Sequence, residues 1–70
     1  MNQTAQQLAD FLLRRKEVEK LSGLSRATIY RLISVGKFPR PVEIGSGAVR
    51  WKQSEITAWQ QSLATTTARG

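Results

Sequence analysis

Residues 18–33 read VEKLSGLSRATIYRLI, and this stretch decides the fold of the chain. Gly23 lies between two segments with helical spacing, and Ser25 is a strong N-cap residue for the second segment. Two short helices joined by a tight turn that contains glycine are typical of a helix-turn-helix motif. The second segment also carries Arg26 and Arg31, so it is the first place to look for a binding surface.

The first helix is predicted over about residues 16–22 and the second from Ser25 to about residue 35. The apolar residues of each helix recur at helical spacing and share one face, which is the predicted core side. These core-side residues are Val18, Leu21, Leu24, Ile29, Leu32 and Ile33. Gly36 suits the left-handed position that follows a helix, and Pro39 prevents the helix from continuing.

A β-hairpin is predicted after the connector that ends at Pro41. Apolar and polar residues alternate on both sides of Gly45-Ser46-Gly47, which predicts two strands and a flexible tip. The strands are expected over residues 42–44 and 48–52. Their inward-facing residues are predicted to be Val42, Ile44, Val49 and Trp51.

The sequence predicts one more helix after the hairpin, but it does not decide the secondary structure of residues 11–14. Ser54 is expected to cap the third helix, and Ile56, Trp59 and Leu63 have the spacing of a core-facing stripe. Residues 11–14 are compatible with a short β-segment and equally with a continuing helix.

Helix, turn, helix, hairpin and helix is the element order of a winged helix-turn-helix domain. We therefore expect a small α+β fold with three helices and a two-stranded β-hairpin wing. Residues 11–64 are expected to form this domain, between a flexible lead-in over residues 1–10 and a disordered tail over residues 65–70. The chain has 70 residues and no cysteine, so packing alone must hold its core.

The charge of the chain indicates a polyanionic partner. Eleven Lys and Arg side chains oppose five Asp and Glu side chains, which gives a net charge of +6. A field of this sign attracts DNA, RNA or an anionic surface. No apolar run approaches the roughly 20 residues that a bilayer-crossing helix needs, and the N-terminus lacks a signal-peptide pattern. We therefore expect no membrane partner and a cytoplasmic location.

Catalysis and cofactor binding are not expected. The chain has no histidine and no cysteine, so the commonest general base and the thiolate metal ligands are missing. No two acidic residues stand three or four positions apart, and Gly45-Ser46-Gly47 is too short for a phosphate-binding loop. The sequence therefore predicts a protein without catalytic activity, metal, cofactor or small-molecule ligand.

The outer face of the second helix supplies the candidate DNA contacts. A helix of about ten residues is roughly 15 Å long and fits the major groove, where its first turn meets the base edges. The candidates are Ser25, Arg26, Ala27, Thr28, Tyr30 and Arg31. Arg26 and Arg31 can each donate two hydrogen bonds to guanine, bind phosphate or only solubilise the helix. Tyr30 suits a phosphate hydrogen bond or partial burial, and Thr28 a structural or phosphate role.

Four further cations are candidate phosphate contacts, with a solvated surface charge as the alternative for each. They are Lys37, Arg40, Arg50 and Lys52. The first two follow the second helix, and the other two are predicted on the outer face of the hairpin. Aromatic rings can stack on bases, but the apolar neighbours of Phe38, Trp51 and Trp59 favour positions in the core.

Six blocks occur in one order along residues 12–63. They are LLR (12–14), KEV (16–18), GLSRATIYRL (23–32), GKFPRPV (36–42), RW (50–51) and SEITAW (54–59). Together these blocks resemble the AlpA-type regulators of phages and prophages. The resemblance implies a small bacterial DNA-binding protein with a MerR-like or excisionase-like winged helix architecture.

The resemblance also implies a function. Such proteins regulate the transcription of prophage or mobile-element genes, often by promoting integrase expression, or act as architectural excision factors. We expect a sequence-specific DNA-binding transcriptional regulator with residues 25–35 in the major groove. A DNA-bending excision factor and a basic protein-interaction module are the alternatives. The expected partners are double-stranded DNA and, from the resemblance, integrase or RNA polymerase at the bacterial nucleoid.

Overall fold

The computed structural model describes residues 9–65 of the chain. Its elements are β1 (Leu12–Leu13), α1 (Arg15–Ser22), α2 (Arg26–Ser34), β2 (Val42–Gly45), β3 (Ala48–Lys52) and α3 (Gln53–Gln61). This is the expected small α+β architecture of a winged helix-turn-helix, with three helices. The expectations for residues 1–8 and 66–70 lie outside the described residues.

The turn between α1 and α2 follows from local chemistry, as predicted. Gly23 has a φ of 74°, and its N–H donates to the carbonyl of Glu19 at 2.8 Å. Ser25 Oγ accepts a hydrogen bond from the N–H of Thr28 at 3.3 Å and so caps α2. Gly36, just after α2, also has a φ of 74°. The two helices are thus bounded by the residues that the sequence singled out.

β1 is a strand because it pairs with β3. The sheet is antiparallel in the order β1-β3-β2, with Leu12 opposite Lys52 and Leu13 opposite Trp51. The N–H of Gln53 extends this pairing by donating to the carbonyl of Phe11 at 2.9 Å. The predicted two-stranded wing is therefore corrected to a three-stranded sheet, since β1 covers the edge of β3 that a hairpin alone would leave unpaired.

A bulge in β2 turns one predicted core residue outward. The register against β3 shifts between Glu43 and Gly45, which leaves Ile44 as the extra residue. Ile44 is 47% exposed, so the prediction that it faces inward is wrong. The bulge interrupts the alternation of side chains on which that prediction rests. Val42 and Val49, outside the bulge, are half-buried.

One apolar cluster joins the helices, β3 and the connector after α2. Its buried members are Val18, Ile29, Ile33, Phe38, Trp51 and Ile56, all of which are predicted core residues. Trp59 is half-buried and packs edge-on against Phe38, with ring centroids 4.7 Å apart. Trp51 Nε1 donates to the carbonyl of Pro39 at 3.0 Å, and Trp59 Nε1 donates to that of Lys37 at 3.1 Å. Both indoles therefore hold the connector onto the core.

Two leucines lie outside the core, contrary to prediction. Leu63 is 55% exposed because α3 ends at Gln61, so the helical spacing that aligned Leu63 with Ile56 no longer applies. Leu21 is 48% exposed near the end of α1. Its carbonyl accepts a hydrogen bond from Gln60 Nε2 at 2.7 Å, so a polar side chain of α3 lies here in place of an apolar one.

The start of α3 is capped by a residue that is distant in sequence. The helix begins at Gln53, and its N-cap residue Lys52 makes no side-chain capping bond, so the prediction of Ser54 as the N-cap is wrong. Asp10 takes this role: Oδ1 accepts from the N–H of Ser54 at 3.2 Å, and Oδ2 accepts from Ser54 Oγ at 2.6 Å. A carboxylate at this position also interacts favourably with the dipole of α3.

Removing the Asp10 carboxylate is expected to destabilise the domain. Asp10→Ala should lower the free energy of unfolding by about 1 kcal/mol, the usual contribution of a capping side chain. Urea denaturation followed by far-UV circular dichroism measures this change. Comparison of Asp10→Ala, Ser54→Ala and the double variant isolates the contact. Strictly additive losses of unfolding free energy would show that the side chains of Asp10 and Ser54 do not interact.

The two tryptophans are expected to differ in their importance for stability. Trp51 is fully buried, so Trp51→Ala should cost about 3–5 kcal/mol, enough to unfold most of so small a domain. Trp59 is half-buried, so Trp59→Ala should cost less and leave a folded protein. Thermal denaturation of both variants provides the comparison. Equal losses of stability would show that Trp59 contributes as much to the core as Trp51.

Candidate nucleic-acid interface

α2 presents a cationic face that is separate from its core face. Ile29 and Ile33 are buried against the cluster, whereas the residues on the other side of the helix are exposed. These exposed residues are Arg26, Ala27, Tyr30, Arg31 and Ser34. No acidic residue occurs in α2, so the helix itself supplies no carboxylate to neutralise its two arginines.

Tyr30 links this face to the core. Its ring is 37% exposed and meets the ring of Trp51 edge-on, with centroids 6.2 Å apart. The guanidinium carbon of Arg26 lies 5.5 Å from the centroid of the same ring, within the range of a cation–π contact. The buried Trp51 ring therefore packs against Tyr30, and the Tyr30 ring in turn restricts the side chain of Arg26.

The hydroxyls of Ser25 and Thr28 are engaged with each other at the start of α2. Their oxygens are 3.1 Å apart, in addition to the capping bond from the N–H of Thr28. Thr28 is half-buried, in keeping with the structural role that was one of its two predicted roles. Ser25 is exposed, so its hydroxyl caps the helix at the protein surface.

The other four predicted cations lie in three different parts of the protein surface. Lys37 and Arg40 are exposed and line an open groove with Phe38 and Trp59. Arg50 lines a different cleft and is half-buried, with Nη1 donating to the carbonyl of Val49 at 2.7 Å. Lys52 is exposed at the end of β3. The fold thus does not bring Arg50 into the same groove as Lys37 and Arg40.

Three cations at the start of α1 were not among the predicted site residues. Arg14, Arg15 and Lys16 line the same cleft as Arg50, together with Gly47 in the turn of the wing. The available signal was the run of three consecutive basic residues, because no other stretch of the sequence has three in a row. Its neighbour in space, Arg50, lies 34 residues or more away in sequence, so the cluster becomes visible only in the fold.

Other kinds of site find no support in the part of the chain that the structure describes. No group of three or more acidic, histidine or cysteine side chains within residues 9–65 is placed to hold a metal ion. No helix in the same range combines the length and the apolar character of a membrane span.

The contact between Tyr30 and Arg26 can be tested with a pair of substitutions. Tyr30→Phe keeps the ring and should change the stability by less than about 0.5 kcal/mol, whereas Tyr30→Ala should cost about 1–2 kcal/mol. Ring currents should also shift the Arg26 side-chain proton resonances in the wild-type and Phe proteins but not in the Ala variant. Identical Arg26 shifts in both variants would contradict the stack.

Comparison with known proteins identifies the family. Residues 11–64 match the family described as Prophage CP4-57 regulatory protein (AlpA). The chain is also 48% identical over 58 residues to "Uncharacterized protein ORF88" of Enterobacteria phage P4, and the match covers 83% of this chain. It covers 66% of the phage protein, so this chain spans slightly less than two thirds of the length of that relative. The matched region includes every described helix and strand, and the chain belongs to the AlpA family of prophage regulatory proteins.

Proposed function

We propose that this protein is a sequence-specific DNA-binding transcriptional regulator of prophage or mobile-element genes, with α2 as its recognition helix. The observation that carries the proposal is the outward face of α2. Arg26 and Arg31 are both exposed there, on a helix that contains no acidic residue. Membership of a regulatory family supports a role in gene control without catalysis.

The dimensions of α2 suit the major groove of B-form DNA. Nine residues make a helix about 14 Å long, and the groove is about 12 Å wide. Arg26 and Ala27 stand in the first turn, which is the part of a recognition helix that meets base edges. Arg26 can donate two parallel hydrogen bonds to guanine, and the Ala27 methyl group can contact that of thymine. The Tyr30 ring restricts the guanidinium before DNA arrives, which lowers the entropy cost of binding.

The remaining candidates are proposed to position the helix on the DNA backbone. Arg31 lies further along α2, where it can reach a base or a phosphate. Ser25 and Thr28 lie at the start of the helix and can donate to phosphate. The four outlying cations are assigned to phosphates on either side of the groove: Lys37, Arg40, Arg50 and Lys52. The proposed place of action is the nucleoid in the cytoplasm of a bacterial host.

An excisionase-like architectural factor is the alternative within the same family. It would use the same face of α2, bend the DNA and act beside an integrase. Nuclease footprints of genomic fragments that the protein selects distinguish the two functions. A single site beside a promoter supports the regulator, in contact with RNA polymerase, and tandem sites within an attachment region support the architectural factor.

Loss of both arginines of α2 is expected to abolish specific DNA binding. Arg26→Ala with Arg31→Ala should weaken binding to a selected operator by about 1–3 kcal/mol for each arginine. Fluorescence anisotropy with operator and scrambled duplexes measures the loss. Both side chains are exposed, so the thermal stability should remain close to that of the wild type.

A charge-preserving variant provides the matched control. Arg26→Lys with Arg31→Lys keeps the net charge of +6 but replaces the guanidinium fork with a point charge. It should retain affinity for the scrambled duplex and lose preference for the operator. Unchanged operator affinity in the Ala variant would reject α2 as the recognition helix. A wild-type protein with no preference for any selected duplex would favour a protein-interaction module with an acidic partner.

A further inference from the structure

A second cationic surface lies beside the wing and is separate from the face of α2. Arg14, Arg15 and Lys16 come from the start of α1, and Arg50 comes from β3. The four side chains line one open cleft together with Glu17 and with Gly47 in the turn of the hairpin. Four positive charges therefore converge from two elements that are distant in sequence.

The pairing of β1 with β3 leads to two of these arginines. Leu12 lies opposite Lys52 and Leu13 opposite Trp51 in the antiparallel pairing of β1 with β3. The pairing ends there, and the next residues, Arg14 at the N-cap of α1 and Arg50 on β3, line the same cleft. Like charges gathered in one place repel each other. An anion bound between them would remove this repulsion, which is the first indication of what the cleft accommodates.

The two acidic residues of α1, Glu17 and Glu19, oppose these four cations and leave a net charge of +2 beside the wing. Arg15 Nε pairs with Glu19 Oε2 at 3.1 Å, and Glu17 Oε1 accepts from the backbone N–H of Arg14 at 2.7 Å. The side chains of Arg14, Lys16 and Arg50 form no ion pair within residues 9–65. Arg14 and Lys16 are also exposed, so their charges are accessible to a ligand.

One residue of the cleft also lines a pocket at the start of the proposed recognition helix. Lys16 lines the cleft and also a second open pocket, whose other walls include Lys20 and the turn from Gly23 to Ser25. Ser25 is the N-cap of α2. Lys16 therefore borders both the cleft beside the wing and the pocket at the N-cap of α2.

We propose that Arg14, Lys16 and Arg50 form a clamp for the phosphodiester backbone of duplex DNA. This inference rests on the proposed function, since the duplex that the clamp would hold is the one that α2 is proposed to read. A strand in this position would neutralise the cations of the cleft. The clamp contributes affinity and orientation but carries no base information, because the partners of its cations are phosphates.

The salt dependence of binding tests the clamp. Engagement of five or six phosphates by the whole protein predicts a slope of about −5 in a plot of log affinity against log salt concentration. Lys16→Gln should reduce the magnitude of this slope by about 0.9, and Arg14→Gln with Lys16→Gln by about 1.8. The measurement uses the full chain and a mixed-sequence DNA duplex. The ratio of operator to scrambled-duplex affinity should stay unchanged.

Thr57→Glu is the matched control for net charge. It lowers the net charge by one, as Lys16→Gln does, but Thr57 is exposed on α3 and lines a pocket that shares no residue with the cleft. Its slope should equal that of the wild type. A Lys16→Gln slope equal to that of the wild type, or an equal reduction in Thr57→Glu, would overturn the clamp.

Failure of the clamp can be separated from failure of the proposed function. A wild-type protein whose DNA affinity does not depend on salt would overturn both. A steep wild-type slope, together with loss of specificity in the Arg26 and Arg31 variants but no effect of Lys16→Gln, would overturn the clamp alone.

Discussion

The structure depends on the burial of one indole ring, that of Trp51. It lies on β3, the central strand of the sheet, and is fully buried. Leu13 pairs with it from β1, its N–H holds the connector at Pro39, and its ring supports Tyr30 on α2. A domain of this size buries only about 60% of its unfolded surface, so few other contacts can compensate for such a residue. Trp51 therefore couples the hairpin to the helix that carries the proposed binding face.

The same small core supports a surface with a strong excess of positive charge. Self-repulsion among like charges destabilises a compact chain, and the cations that share the cleft beside the wing illustrate this locally. The single ion pair found within residues 9–65, between Arg15 and Glu19, is partly exposed and offsets little of it. Such an arrangement is understandable if the cations are matched to a polyanion that is absent from the isolated protein. At the start of α1, the cations proposed to bind DNA therefore also lower the stability of the free protein.

The parts of the fold that local chemistry determines could be predicted from the sequence. Ser25 caps α2 and Gly23 and Gly36 adopt positive φ because each acts within a few residues. Features determined by distant partners could not be predicted. β1 is a strand only through its pairing with β3, and the helix cap supplied by Asp10 bridges 44 positions. The candidate site divides in the same way: the face of α2 follows from helical periodicity, whereas the cleft beside the wing requires the tertiary fold.

The contact between Asp10 and Ser54 has a practical consequence for building with this domain. It brings the segment before β1 onto α3, and Ala9 and Gln61 line one shared pocket. The polypeptide therefore enters and leaves the folded unit at a common pole. That pole shares no residue with the cleft or with α2. A short linker between Ala9 and Gln61 would therefore suffice for a circular permutant opened elsewhere, and this junction would leave the cleft beside the wing and the face of α2 uncovered.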